Sequence, residues 1–282
     1  NQDMLPWILE HTAPVVAAQE LAKEGSAICE RRPGGRRLII TSDPRVARYI
    51  FSGANKKNYV RRPADDDGLR SLGMLNRGLI WNNDLPVWGK IRGCFQQALD
   101  HSALSCAVAV AKQECLALLN DHAQNSASNQ GEVAANLLTL SRKVTFRATL
   151  CVFFGLQSSD FCAAGINEEG FIDAIVSYFK AWEYFLFRSK SSREGPTEAK
   201  HLKSVATLQE HVRGLLAWTD SINESHKKHP DEHDNKNKKG IFVNLLRQVC
   251  QNEPELLEQS ALEMLLAGTD TSSVTAYYTL LG

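Results

Sequence analysis

Between residues 202 and 222 the side chains Leu202, Val205, Leu208, Val212, Leu215, Leu216, Thr219 and Ile222 return to one face of a helix at every turn. The same 3.6-residue period governs most of the chain beyond Leu85. It predicts helices over 85–99, 101–124, 132–154, 168–188, 198–226, 240–250 and 254–281, which leaves little room for a sheet. The strand pattern is confined to RLIIT at 37–41, closed by Ser42-Asp43-Pro44. There Asp43 and Pro44 have the form of an N-cap and first helical residue for PRVARYIF at 44–51. Residues 61–86 carry Pro63, the run Asp65-Asp66-Asp67, Gly68, Gly73, Gly78 and Asn82-Asn83-Asp84. They read as a long irregular segment, a kind of loop that is often functional. The expected architecture is one mainly α domain with a small β element.

Charge narrows the function. The 282 residues hold 32 Lys+Arg and 32 Asp+Glu, so no basic excess is available for phosphate recognition, which argues against a nucleic-acid partner. With 43% hydrophobic and 23% charged residues, whole-chain disorder is excluded. No apolar run is expected to reach the roughly 20 residues of a membrane span. The first residues show neither a signal peptide nor an initiator Met, so a native N-terminal segment is expected to be missing. The seven cysteines, Cys29, Cys94, Cys106, Cys115, Cys151, Cys162 and Cys250, are odd in number and scattered. They read as reduced thiols, mostly buried in helices, of a cytosol-facing protein. In the charged connector 226–239, His226, His229 and His233 have metal-ligand spacing. Pro230 interrupts them, and a solvated loop is the stronger reading.

Two places carry chemistry. In the last helix the apolar stripe Leu256, Leu257, Ala261, Met264, Leu265 resumes at Val274, Tyr277, Tyr278 and Leu281. Between them stands Ala267-Gly268-Thr269-Asp270-Thr271-Ser272-Ser273. A core helix gains nothing from Gly, buried hydroxyls and a carboxylate. One reading is a bent helix whose hydroxyls bond back to the preceding turn. The other is a groove in which a Thr hydroxyl and an adjacent carboxylate hold water and pass protons, as oxygen chemistry requires. The second place is Trp88-Gly89-Lys90-Ile91-Arg92. Trp88 and Arg92 share a helix face and can offer an indole N–H and a guanidinium fork to one anion. The commoner arrangement is a structural pair, with Arg92 over the Trp88 ring.

Together these segments resemble the cytochrome P-450 family. AGTDTSS resembles the family's oxygen-activation motif, WGKIR its WxxxR motif, and RLIITSDPRVARYIF its first strand and following helix, all in the family's order. Within the family, GLIWNND…WGKIRGCFQQAL (78–99), SYFKAWEYFLF (177–187) and ALEMLLAGTDTSSV (261–274) are most similar to the aromatases, the branch that oxidises the steroid A ring.

The resemblance implies a cytochrome P-450 fold for 1–282, as the N-terminal part of a single such domain, truncated within the central oxygen-activation helix. It implies a haem (iron protoporphyrin IX) cofactor and a haem-thiolate monooxygenase that oxidises a steroid-like molecule. Arg62 (with Arg61 able to exchange roles), Trp88 and Arg92 would take the propionates, and Ala267 would lie on the haem side. Trp81, Phe179, Trp182 and Met264 would line the substrate pocket, although Phe179 and Trp182, three apart on a helix, are by spacing alone more often core than ligand contacts. Asp270 and Thr271 would carry the proton relay. The implied electron donor is NADPH-cytochrome P-450 reductase, docking near Lys90 and Arg92. The implied location is the cytosolic face of the endoplasmic reticulum membrane, through an N-terminal anchor outside this sequence.

Two departures bear on these expectations. Where the aromatases have a helix-shifting Pro this chain has Thr269, so a broad-specificity hydroxylase of the same family stays open, as does a non-enzymatic helical binding protein. No cysteine lies in the family's FxxGxxxCxG context, and Glu210–Arg213 matches its ExxR pattern only by chance. The axial Cys is expected beyond residue 282.

Overall fold

Helix caps set much of the frame. Asp43 accepts from Arg45 N at 2.8 Å and opens α1 (Pro44–Phe51). Asp84 accepts from Val87 N at 3.2 Å and opens α3 (Leu85–Ala98), and Asn136 accepts from Thr139 N at 3.2 Å at the head of α5 (Leu137–Thr149). Each such cap contributes about 1 kcal/mol. The structure is a computed structural model that describes residues 28–31, 38–41, 43–55, 66–126, 136–188, 190–228 and 241–281. Arg62, His229 and His233 lie outside the described residues.

The described elements are two strands, β1 (Ile28–Arg31) and β2 (Leu38–Thr41), and helices α1 to α10. The others are α2 (Asp66–Ser71), α4 (His101–Ser126), α6 (Glu168–Phe187), α7 (Gly195–Lys228), α8 (Ile241–Val249), α9 (Pro254–Leu266) and α10 (Ser272–Leu281). The strands pair antiparallel, with Ile28 opposite Thr41 and Arg31 opposite Leu38. Two π-helical turns interrupt the helices, Leu150–Phe154 after α5 and Ala267–Thr271 between α9 and α10.

The chain divides into two compact units, one of residues up to 75 with 180–202, the other of 76–179 with 203–282. In the first, the Arg193 side chain is wholly buried and satisfied on every side. It meets Asp67 Oδ2 at 2.7 Å and donates to the carbonyls of Phe185 at 2.9 Å and Arg188 at 3.1 Å. A buried guanidinium is tolerated only when it is paired and bonded in this way. Lys190 adds a second cation at 2.9 Å from Asp67.

The second unit is built around aromatic side chains. Phe95 and Phe242 meet edge to face at 4.8 Å, with Phe153 and Phe154 against the same Phe242 ring. Phe146 packs on Phe161 and Phe171. The α7 stripe is buried as its period requires, at Val205, Leu208, Val212, Leu215 and Leu216. Arg147 joins α4, α5 and α6, bidentate to Glu168 at 2.7 and 2.8 Å and paired with Glu114 at 2.9 Å.

Most expected helices agree with the structure to within a few residues. Three readings are corrected. The Asp65–Gly68 region is not wholly irregular, because Asp66 and Asp67 occupy the first turn of α2, where carboxylates favour the helix dipole. Strand β1 was not expected. One stretch of α4, the 21 residues His101–Asp121, passes for a membrane span on length and composition, contrary to the expectation that no run would. Its Glu114 is nonetheless buried and ion-paired to Arg147 inside the protein.

Candidate functional site

Helix α9 is buried without interruption from Gln259 to Leu266, and its character changes at the π turn. Ala267, Thr271, Thr275 and Thr279, four residues apart, are all exposed. The Thr271 hydroxyl donates to the Ala267 carbonyl, Thr275 to Thr271 O at 2.8 Å and Thr279 to Thr275 O at 2.8 Å. Small side chains whose hydroxyls fold back on the helix leave a flat, low face. The back-bonding read from the sequence is therefore present, and the same segment widens to a π turn. A π turn of this kind is frequent at functional sites.

The opposite face of the turn sits tightly on α5. Thr145 Oγ1 donates to the Thr269 carbonyl at 3.0 Å. Gly268 lies so close that a Cβ there would stand 2.5 Å from Thr149 Oγ1 and 2.9 Å from its Cγ2. Thr269 is 1% exposed, and its hydroxyl has no hydrogen-bond partner among the described residues. Asp270 points to Arg142 of α5, 3.6 Å away, with both side chains about one-quarter exposed. The carboxylate is thus held by a cation yet reachable by water.

On α3, the Arg92 guanidinium lies 5.1 Å from the centroid of the Trp88 ring. The structural pairing read as one alternative is present, and Arg92 remains exposed. Among the described ion pairs no carboxylate takes it. Such a pair presents a fork to an anion without first breaking a salt bridge.

Of the residues proposed for the substrate, Met264 is buried in α9 and Trp81, Phe179 and Trp182 are half-buried. Trp81, Phe179 and Met264 belong to the second unit, whereas Trp182 belongs to the first. Arg213 pairs with Glu258 at 3.1 Å, away from the chance ExxR match. Cys94 and Cys250 are buried. Burial, with the Cys94 and Glu253 charges, pushes the Cys250 thiol up to about 12, and burial also raises Cys94. Neither is a thiolate at neutral pH, the form a metal needs. Cys106 and Cys162 are exposed, contrary to the buried reading.

Sequence reasoning missed Arg142, Thr145 and Thr149, and it missed Glu263. The first three recur at helical spacing on α5, an Arg with two hydroxyl residues where apolar side chains would be expected. Glu263 stands alone as a carboxylate inside a buried apolar stripe, and that isolation is its signal.

The cytochrome P450 family model matches residues 4–282. The chain belongs to the cytochrome P450 family. Its fold agrees: a zebrafish cytochrome P450 solved with abiraterone aligns at a TM-score of 0.64 and 12% identity, over 95% of this chain and 57% of that one. Among characterised P450s it is 26% identical to aromatase 2 of Sus scrofa over 251 residues, 88% of this chain and 46% of that protein. It is 28% identical to the aromatase of Gallus gallus over 244 residues, 82% of this chain and 43% of that protein. The chain spans less than half the length of these two relatives. Within this P450, exposed Arg92 beside half-buried Trp88 has the donor chemistry that a haem propionate would need.

Proposed function

We propose that the protein is a haem-dependent monooxygenase that oxidises a steroid-like substrate, aromatase-like in its overall plan. The observation that carries this reading is the π turn Ala267–Thr271, which sets part-exposed Asp270 and exposed Thr271 directly after the buried stretch Gln259–Leu266. Bound haem supplies the activation of dioxygen, with reducing equivalents from NADPH-cytochrome P-450 reductase.

The chain's own residues have distinct tasks. Arg92 and Trp88 hold the propionates. Ala267 contributes the low surface on which the ring rests. The Thr271 hydroxyl, its proton engaged with the Ala267 carbonyl, keeps acceptor capacity on its open side for water. Asp270 exchanges protons with solvent, and the Arg142 guanidinium fixes its carboxylate in place between transfers. Trp81, Phe179 and Met264 supply apolar surface that orients the substrate and excludes water. The reductase meets the face that carries Lys90 and Arg92, and the protein works on the cytosolic side of the endoplasmic reticulum membrane. Similarity to aromatases over most of the chain supports the steroid class.

Thr269 favours a second reading within the same family, a hydroxylase of broader specificity. It is buried and its carbonyl is tied to Thr145, so this helix keeps a hydroxyl residue where the aromatases have Pro. The test is androgen turnover by the full-length, haem-loaded protein and its Thr269→Pro variant. Aromatised product from the wild type supports the first reading. Hydroxylated product from the wild type, with aromatisation gained only in Thr269→Pro, supports the second. If neither form binds an androgen, the steroid assignment is wrong.

A further inference from the structure

Glu263 is 1% exposed, and its carboxylate is met both by Gln259 of its own helix and by the segment that leads into α3. One oxygen, Oε2, accepts from the backbone N–H of Leu79 and from that of Ile80, the latter at 3.1 Å. The other, Oε1, accepts from Gln259 Nε2 at 3.1 Å. Gly78 precedes the two donors with φ +67°, and a Cβ on it would fall inside the carboxylate itself. A left-handed residue followed by converging amides is a concavity built for an anion.

The bonds do not stop there. Gly78 O accepts from Asn82 Nδ2 at 3.2 Å, and Asn82 is itself 3% exposed. Asn82 Oδ1 accepts from Asp84 N at 2.9 Å. Asp84 then caps α3 through Val87 N at 3.2 Å and Trp88 N at 2.8 Å. A continuous path of hydrogen bonds thus runs from the helix of the oxygen motif to the first turn of the helix that carries Trp88 and Arg92, with Trp81 inside it.

Burying a carboxylate costs several kcal/mol, and an apolar residue would serve a merely packed helix at least as well. What the charge adds is register: two consecutive amides can meet one oxygen only when the segment is in a single place. We infer that Glu263 is a positioning residue, whose carboxylate fixes the 78–84 segment and, through Asn82 and Asp84, the register at which α3 presents Trp88 and Arg92. Its significance for haem rests on the function proposed above, whereas the clamp itself does not.

Amide hydrogen exchange on the full-length, haem-loaded protein tests it, with Glu263→Ala, Glu263→Gln and Asn82→Ala. In Glu263→Ala the amides of Leu79 and Ile80 and those of Val87 and Trp88 exchange at least about tenfold faster, while the α7 core amides from Val205 to Leu216 are unchanged. Glu263→Gln keeps one carbonyl acceptor and falls between. Asn82→Ala speeds Val87 and Trp88 but leaves Leu79 and Ile80 protected, because it cuts the path after the clamp. Haem loss to excess apomyoglobin is about tenfold faster in Glu263→Ala, the usual scale for a supporting contact. Unchanged exchange at Leu79 and Ile80 overturns the clamp. Loss there with full protection at Val87 and Trp88 overturns the relay to α3, and uniform acceleration including α7 reduces Glu263 to a general stability residue. If the protein takes up no haem, the exchange pattern in the haem-free protein decides the clamp and only the proposed function fails.

Discussion

At Gly268 the absence of a side chain is a packing requirement. Thr149 is β-branched, 4% exposed and unable to rotate away freely, so α5 and the π turn meet at a distance only Gly allows. Gly268→Ala sets a packing cost of about 1–3 kcal/mol against the roughly 1 kcal/mol that Ala gains over Gly in a helix. The net result is a less stable protein. Thr149→Ala removes both offending atoms, so the double variant is more stable than the sum of the two single changes. Urea denaturation of the four proteins checks this, and additive effects would show that the two residues do not touch. The Gly itself was legible in the sequence as a soft point in the helix. Its neighbour on α5 was not, because nothing local in the sequence links Thr149 to Gly268.

At the scale of elements, helix bounds were legible because period and caps are local: Asp43, Pro44 and the α7 stripe needed no knowledge of any partner. β1 was hidden because a four-residue strand is defined by what it pairs with. The break in the oxygen-motif helix was legible in composition, but its form as a π turn and the Arg142–Asp270 pair depend on α5 packing against it. The start of α7 carries a pH effect that belongs to this scale. His201 stacks on Tyr184 at 4.5 Å. Burial, then the charges of Lys200 and Arg188, holds its imidazole below the ordinary value. Folding therefore favours the neutral ring, and the unfolded chain takes up the proton first. The stability from His201 is complete above the unfolded value of about 6.5 and is lost as pH falls through the lower folded value. Between about pH 7.5 and 5.5 the urea midpoint of the wild type should fall, and that of His201→Phe, which keeps the stacked ring, should fall less. Equal slopes would remove His201 from the account.

For the whole molecule, composition excluded more than it assigned: zero net charge argued against nucleic acid, and the long helical tract argued for a mainly α fold. The family resemblance rested on two short motifs in order, and the family model over residues 4–282 agrees with it. The Trp88–Arg92 pair on α3 and the acid–hydroxyl pair in the π turn both lie within the second unit. Arg142 shows why a motif alone is insufficient, since Asp270 is held by a side chain from another helix. The central claim is that Asp270 and Thr271 manage protons for oxygen chemistry. The direct measurement is the balance of NADPH consumed, product formed and peroxide released by the full-length, haem-loaded protein and its Thr271→Ala and Asp270→Asn variants. The account predicts continued NADPH oxidation with product at least about tenfold lower, the scale of a lost proton-transfer group, and peroxide making up the difference. Product per NADPH unchanged in both variants would contradict it.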